Sequence, residues 1–128
     1  MLHRGVTSIG IDISKYAIEN GMELVKPFMI IGNAEKLPWG DKTFDCIVSI
    51  NTIHNLSKSK VKTAIKEMIR VCNNPKNMFI QVDAFRTKEE KKKMKSFNLT
   101  AKTILSTKDW IKLFKEIGYK GDYYWTII

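Results

Sequence analysis

Six polar residues stand at or just behind the ends of apolar runs in this 128-residue chain: Asp12, Asn33, Asn51, Thr52, His54 and Asn55. A carboxylate such as Asp12 at a strand end can accept one hydroxyl on each oxygen, which suits a vicinal diol. Charge-assisted bonds of that kind contribute about 1.5–3 kcal/mol each. The plainer role for the same residue is an acid favoured by the dipole at a helix start. His54 has an ordinary pKa near 6.5 and is fit for general-base chemistry, or equally for a structural or substrate-contact role. Cys46 and Cys72 show neither a CxxC pair nor a nearby histidine cluster, so they read as two buried, reduced thiols, with no metal site.

The elements that must position these residues follow from hydrophobic periodicity. Residues 6–13 are rich in β-branched side chains and predict a buried strand ending at Asp12, with Ser14 as N-cap of the next helix. Ile18, Met22 and Val25 then recur at helical spacing as far as Pro27. Residues 28–31 predict a second strand, 32–42 a loop carrying Pro38 and Gly40, and 44–50 a third strand. Ser57 or Ser59 caps a helix whose Val61, Ala64, Ile65, Met68 and Cys72 form an apolar stripe ended by NNPKN (73–77). A strand over 78–82 precedes a charged helix over 87–96. Thr107 caps a last helix with Trp110, Leu113, Phe114 and Ile117 on one face and Gly118 at its end. A strand over 122–128 closes the chain.

Strands this apolar, alternating with helices, predict a mostly parallel sheet covered by helices, in an α/β Rossmann-like architecture. In such sheets ligands collect at the carboxyl ends of the strands, where all six polar residues fall.

Twenty-two Lys and Arg against thirteen Asp and Glu give a formal charge of +9. That balance raises the possibility of a nucleic-acid partner through counterion release. Only Arg4, Arg70 and Arg86 are arginines, however, and lysine lacks the guanidinium fork that favours phosphate and base recognition. The densest run, KEEKKKMK (88–95), offers the pairs Glu89–Lys92 and Glu89–Lys93 and reads as a solvated helix face. No apolar run approaches the roughly 20 residues that span a bilayer, and the first ten residues lack a signal-peptide core. The expectation is a cytoplasmic protein without membrane association.

In their order, GIDIS (10–14), GNAEKLPWGDKTFDCIVSINTIHNL (32–56) and, more loosely, GYKGDYYW (118–125) carry a resemblance to a known family. The chain resembles the class I S-adenosyl-L-methionine-dependent methyltransferases, in particular small methyltransferase-domain proteins of the type-11 kind. The resemblance implies that Asp12 binds the ribose hydroxyls and that Ile13 packs on adenine. Asn33, standing where the family usually has Asp, would accept the exocyclic amine, and the Ala34 backbone N–H would serve a ring nitrogen. It further implies that Asn51 and Thr52 line the cofactor and that His54 and Asn55 face the methyl acceptor, with His54 as candidate base. Trp39 would pack over the cofactor loop, whereas Trp110 reads as core and Tyr123, Tyr124 and Trp125 as strand residues.

Family members carry a first strand, a glycine-rich loop and a helix ahead of the segment equivalent to GIDIS, and this sequence shows none of them. The expectation is therefore one partial domain over 1–128, truncated and inactive alone, with two half-sheets whose inner edges are exposed. A homo-oligomer or a complementing chain would cover those edges. A nicotinamide dehydrogenase fragment explains Asp12 but neither GNAEKLP nor NTIHNL. A non-enzymatic basic interaction protein or nucleic-acid binder on a degenerate fold is the alternative from another class.

Overall fold

A computed structural model describes residues 7–12, 15–21 and 28–128. The helix cap expected at Ser14 and the periodic residues Met22 and Val25 fall outside them. The chain divides into two compact units, residues 1–38 and 39–128.

In the first unit, β1 (Gly10–Asp12) runs parallel to β2 (Met29–Ile31), with Asp12 opposite Ile31. Between them lies α1 (Lys15–Glu19), whose Ile18 is buried. Among the described residues these strands fall within the expected ranges and cover the residues that pair.

The second unit is built around one long strand. β3 (Ile47–Ile50), α2 (Lys58–Val71), β4 (Met78–Phe85), α3 (Lys88–Phe97), β5 (Leu105–Ser106), α4 (Thr107–Glu116) and β6 (Asp122–Thr126) follow in order. β4 pairs in parallel with β3 on one side, with β6 over Phe79–Asp83, and with β5 over Ala84–Phe85. Every ladder is parallel, as the apolar strands predicted. Among the described residues the strands form two sheets, β1–β2 and β3–β4–β5 with β6, as the expected half-sheets would.

Alternate residues of β4, Met78, Ile80, Val82 and Ala84, are buried against α2 and α4. Val61, Ile65 and Met68 of α2 and Trp110, Leu113 and Phe114 of α4 complete this core, each on the stripe that the sequence periodicity marks. Phe114 lies 4.9 Å from Tyr119 and 6.2 Å from Trp125 by ring centroid, joining α4 to β6. By register, Val48 and Ile50 lie on the opposite face, and both are exposed. α3 buries only Met94 and leaves its lysines in solvent, as expected of a charged helix.

Several local expectations are corrected. The cap of α4 is Ser106, whose hydroxyl accepts the Asp109 N–H at 3.1 Å, so Thr107 is the first helical residue instead. Ser57 holds the cap position of α2 without a capping hydrogen bond. On α3 the ion pair is Glu90 with Arg86, at 2.7 Å, rather than Glu89 with a lysine, because Arg86 precedes the helix and folds back over its first turn. Cys46 is exposed, not buried. The strand begins only at Ile47: Phe44 makes an isolated bridge to Cys72, and residues 45–46 turn out of the core. Cys72 is buried as expected. The terminal strand stops at Thr126. β5 and a 3-10 turn over Ile53–Asn55 were not anticipated.

Candidate functional site

In the first unit the chain leaves β2 through Gly32, whose N–H donates to the Asp12 carbonyl at 2.9 Å. That bond extends the β1–β2 ladder by one residue and sets the Asp12 strand end beside Asn33. A Cβ on Gly32 would approach Ile11 Cδ1 to 2.5 Å, so the smallest residue suits this step. Asn33 and Lys36 close a tight turn: the Lys36 N–H donates to the Asn33 carbonyl at 3.0 Å, and the Glu35 N–H donates to Asn33 Oδ1 at 2.8 Å. One lone pair of the amide oxygen is thus used internally and one is left. The Ala34 N–H, at the tip of the turn, takes no partner among the described residues. Ile13 lies outside the described residues.

In the second unit Asn51, Thr52, His54 and Asn55 cluster behind β3, at the carboxyl end of the sheet. Asn51 has φ 49°, in the left-handed region that asparagine tolerates better than most residues. Its N–H still donates to the Gln81 carbonyl at 2.8 Å, so the chain turns immediately after its last ladder bond. Thr52 Oγ1 donates to the Ile50 carbonyl at 2.8 Å and steadies that turn. Asn51 and Thr52 are exposed, Asn55 is half-buried and His54 is buried.

His54 is held on both sides. Its Nδ1 accepts the Asp83 backbone N–H at 3.2 Å, and its Nε2 lies 3.7 Å from Asp83 Oδ2. Its carbonyl accepts the N–H groups of Lys102 and Thr103, at 3.1 and 3.0 Å. An acceptor at Nδ1 means the neutral ring carries its proton on Nε2, facing the carboxylate. Burial pushes the His54 pKa down, and the Asp83 carboxylate opposes that shift. Asp83 also accepts Asn98 Nδ2 at its carboxylate and Trp110 Nε1 at its carbonyl, the latter at 3.1 Å. Thr100 Oγ1 donates to Asn55 Oδ1 at 3.1 Å, and Thr103 Oγ1 to the Leu56 carbonyl at 2.6 Å. The segment 98–103 is therefore tied to the turn behind β3 by four hydrogen bonds, from Thr100, Lys102 and Thr103.

Trp39 meets Phe44 edge-on at 4.8 Å, and its carbonyl accepts Arg70 Nη1 at 2.8 Å. Arg70 also forks onto Glu67, at 2.8 and 2.9 Å, and reaches Asp41 at 3.0 Å. These charge-assisted bonds raise the guanidinium pKa further above its already high value. They anchor the loop 39–44 to the end of α2.

Sequence reasoning passed over Asp83, Asn98 and Thr100. Asp83 lies inside the apolar run MFIQVDAF, and one carboxylate surrounded by aliphatic residues was the available signal. Among the described residues no group of three or more His, Cys, Asp or Glu is gathered to hold a metal, and no helix is long and apolar enough to cross a membrane.

Parallel strands joined by helices, with polar residues at their carboxyl ends, define a Rossmann-like α/β fold. A family model described as a methyltransferase domain matches residues 1–80, more than half of the chain, and the chain belongs to that family. An uncharacterized protein of Methanocaldococcus jannaschii, MJ1123, is 35% identical over 122 residues, a match covering 88% of this chain and 56% of that protein. The YcgJ protein of Bacillus subtilis superposes with a TM-score of 0.71 at 20% identity, over 88% of this chain and 52% of its own. A SAM-dependent methyltransferase of Thermotoga maritima, TM1293, gives a TM-score of 0.68 at 23% identity, over 87% and 54%. The chain spans about half the length of these relatives.

Proposed function

We propose that this chain forms part of a cytoplasmic S-adenosyl-L-methionine-dependent methyltransferase. The observation that carries the reading is the first-unit strand end, where the Gly32 N–H to Asp12 carbonyl bond sets an acid beside a turn whose Ala34 N–H has no partner among the described residues. An acid for a diol and a bare amide N–H next to it suit a nucleoside. When bound, the cofactor supplies an electrophilic methyl group on a sulfonium.

Asp12 would take the ribose hydroxyls, Ile13 one face of adenine, the remaining Asn33 oxygen lone pair the exocyclic amine, and the Ala34 N–H a ring nitrogen. Asn33 is neutral where the family has a carboxylate, so its bond is the weaker kind. The same reading gives Asn51 and Thr52 a cofactor-lining role and has Asn55, steadied by Thr100, face the acceptor. We assign His54 as a positioning residue: its Nδ1 lone pair is occupied by the Asp83 N–H and its Nε2 faces a carboxylate, which leaves no lone pair for a proton from an acceptor. Transfer to an already nucleophilic acceptor needs alignment rather than a base.

β3 ends its sheet, with Val48 and Ile50 exposed, which supports a second copy or a complementing chain as a partner at that edge. A nucleic-acid reading draws on α3, where Lys88, Lys92, Lys93 and Lys95 are exposed and have no carboxylate partner among the described residues. Steeply salt-dependent RNA binding without cofactor affinity would favour it.

Calorimetry with S-adenosyl-L-methionine tests the main reading. Saturable binding, weakened at least about tenfold by Asp12→Ala, is expected. No heat at millimolar cofactor would overturn it.

A further inference from the structure

α3 ends on two large apolar side chains that the core does not receive. Phe97, its last residue, is 76% exposed, and Leu99, just beyond it, is 89% exposed. A lone exposed leucine carries no message, since much of any protein surface is apolar. What separates this pair is the residue between them. Asn98 points inward: its Nδ2 donates to Asp83 Oδ2, its N–H donates to the Met94 carbonyl at 2.8 Å, and its Oδ1 accepts the Thr100 and Ala101 N–H groups at 3.2 and 3.0 Å. With Asn98 fastened to β4, both its neighbours stand in solvent. Thr100, Lys102 and Thr103 then tie the following segment to the turn behind β3. The apolar tip is thus presented on a fixed backbone, and little ordering remains to be done on contact.

The charge around the tip has one sign. Residues 86–102 hold seven basic side chains against two glutamates. Glu90 is neutralised by Arg86 at 2.7 Å, which leaves Glu89 against Lys88, Lys91, Lys92, Lys93, Lys95 and Lys102, all exposed. None of these six lysines has a carboxylate partner among the described residues. At a rise of 1.5 Å per residue, those on α3 lie within about 14 Å of Phe97 along the helix axis. Lys93 precedes Phe97 by one turn and shares its side of the helix.

We propose that the end of α3 is a docking surface for a bilayer carrying anionic headgroups, with Phe97 and Leu99 entering the boundary between headgroups and acyl chains and the lysines meeting the headgroup charge. An apolar tip inside a field of lysines is complementary to a surface that is anionic outside and apolar beneath. Interfacial contact of this kind needs no spanning helix, and none is present among the described residues. Nucleic acid would use the lysines and stack on Phe97, but Leu99 offers a base no π face, and no arginine stands among the six unpaired cations. The inference does not rest on the cofactor reading above.

Vesicle co-sedimentation of the full chain is the test, with phosphatidylcholine vesicles either pure or carrying about one-third phosphatidylserine. The parent is compared with two double variants, Phe97→Ser with Leu99→Ser and Lys93→Gln with Lys95→Gln. Every substituted side chain is exposed, so circular dichroism and melting should match the parent. Leu99→Ser alone repeats the test should the serine pair melt early. Binding to the anionic vesicles only is expected, weakened at least about tenfold by either pair and weakened further as salt rises. Equal binding to both kinds of vesicle overturns the charge complementarity. Parent-like binding by either pair overturns the placement at α3 and leaves a general effect of the net charge. Absence of sedimentation with either vesicle overturns the inference outright. Single-stranded RNA is the counter-probe: RNA binding reduced by the glutamine pair and untouched by the serine pair, with vesicles unbound, gives the surface to nucleic acid instead.

Discussion

The backbone N–H of Asp83 points at Nδ1 of His54, 29 residues earlier in the chain, and the Asp83 carboxylate faces the other nitrogen of the same ring. One residue of the central strand thus sets both the tautomer and the orientation of the turn behind β3. Protonation at Nδ1 would set two N–H groups against each other, and burial already disfavours the cation.

The pH consequence has a definite sign. The folded-state pKa of His54 lies below its ordinary value near 6.5, so between the two values the unfolded chain binds the extra proton. Stability from this residue is complete above about pH 6.5 and is lost as pH falls through the folded pKa. The difference between the parent chain and His54→Gln in urea melts should therefore change with pH only below about 6.5. His54→Phe, which leaves the buried Asp83 N–H unpartnered, should cost about 1–3 kcal/mol at neutral pH. A parent-minus-Gln difference that is flat from pH 5 to 8 would refute the linkage.

Arg70 holds Trp39, Asp41 and Glu67 at once, while its own carbonyl accepts the Lys42 N–H at 2.9 Å. Arg70→Met should loosen the loop 39–44 and leave the core strand β4 protected. Hydrogen exchange reads this directly: faster exchange at Lys42 and Phe44, with Ile80 and Val82 unchanged, is expected. Uniform acceleration would mean that the arginine supports the whole unit.

Much of this arrangement was legible in the sequence, for identifiable reasons. The stripe Val61, Ala64, Ile65, Met68, Cys72 and the face Trp110, Leu113, Phe114 became core because a 3.6-residue period leaves one side to bury. The strand ends at Asp12 and ahead of Asn33 were legible because strand ends are marked locally. Asp83 was not, since its partners come from His54, Asn98 and Trp110, and no local pattern encodes contacts across 15 to 29 residues. β5 escaped because two residues carry no period. Ser106 and Thr107 are both good caps, and the choice between them rests on which hydroxyl reaches Asp109.

Trp110 is fully buried and bonded to the Asp83 carbonyl, so its indole both fills space and satisfies a polar atom of the same residue that holds His54. Trp110→Phe should cost about 1–3 kcal/mol, through the lost hydrogen bond and a partial cavity, and Trp110→Ala about 3–5 kcal/mol. Denaturant midpoints measure both. A Phe variant as damaging as the Ala variant would show that the indole N–H, not the ring volume, carries the contribution.

The two thiols should separate by rate. Cys46 is exposed just ahead of β3. Cys72 is buried at the end of α2, where burial pushes its pKa up; its thiol also donates to the Asn74 carbonyl at 3.1 Å. The thiolate is the reacting species, and both lost access and a raised pKa deplete it at Cys72. Under native conditions a maleimide should modify one thiol rapidly, mapped to Cys46 by peptide mass, while Cys72 reacts only after denaturant is added. Cys46→Ser should abolish the fast phase and leave the slow one. If the fast phase survives that substitution, Cys72 opens far more often than its place in the core allows, and the packing of α2 against β4 is looser than its buried residues imply.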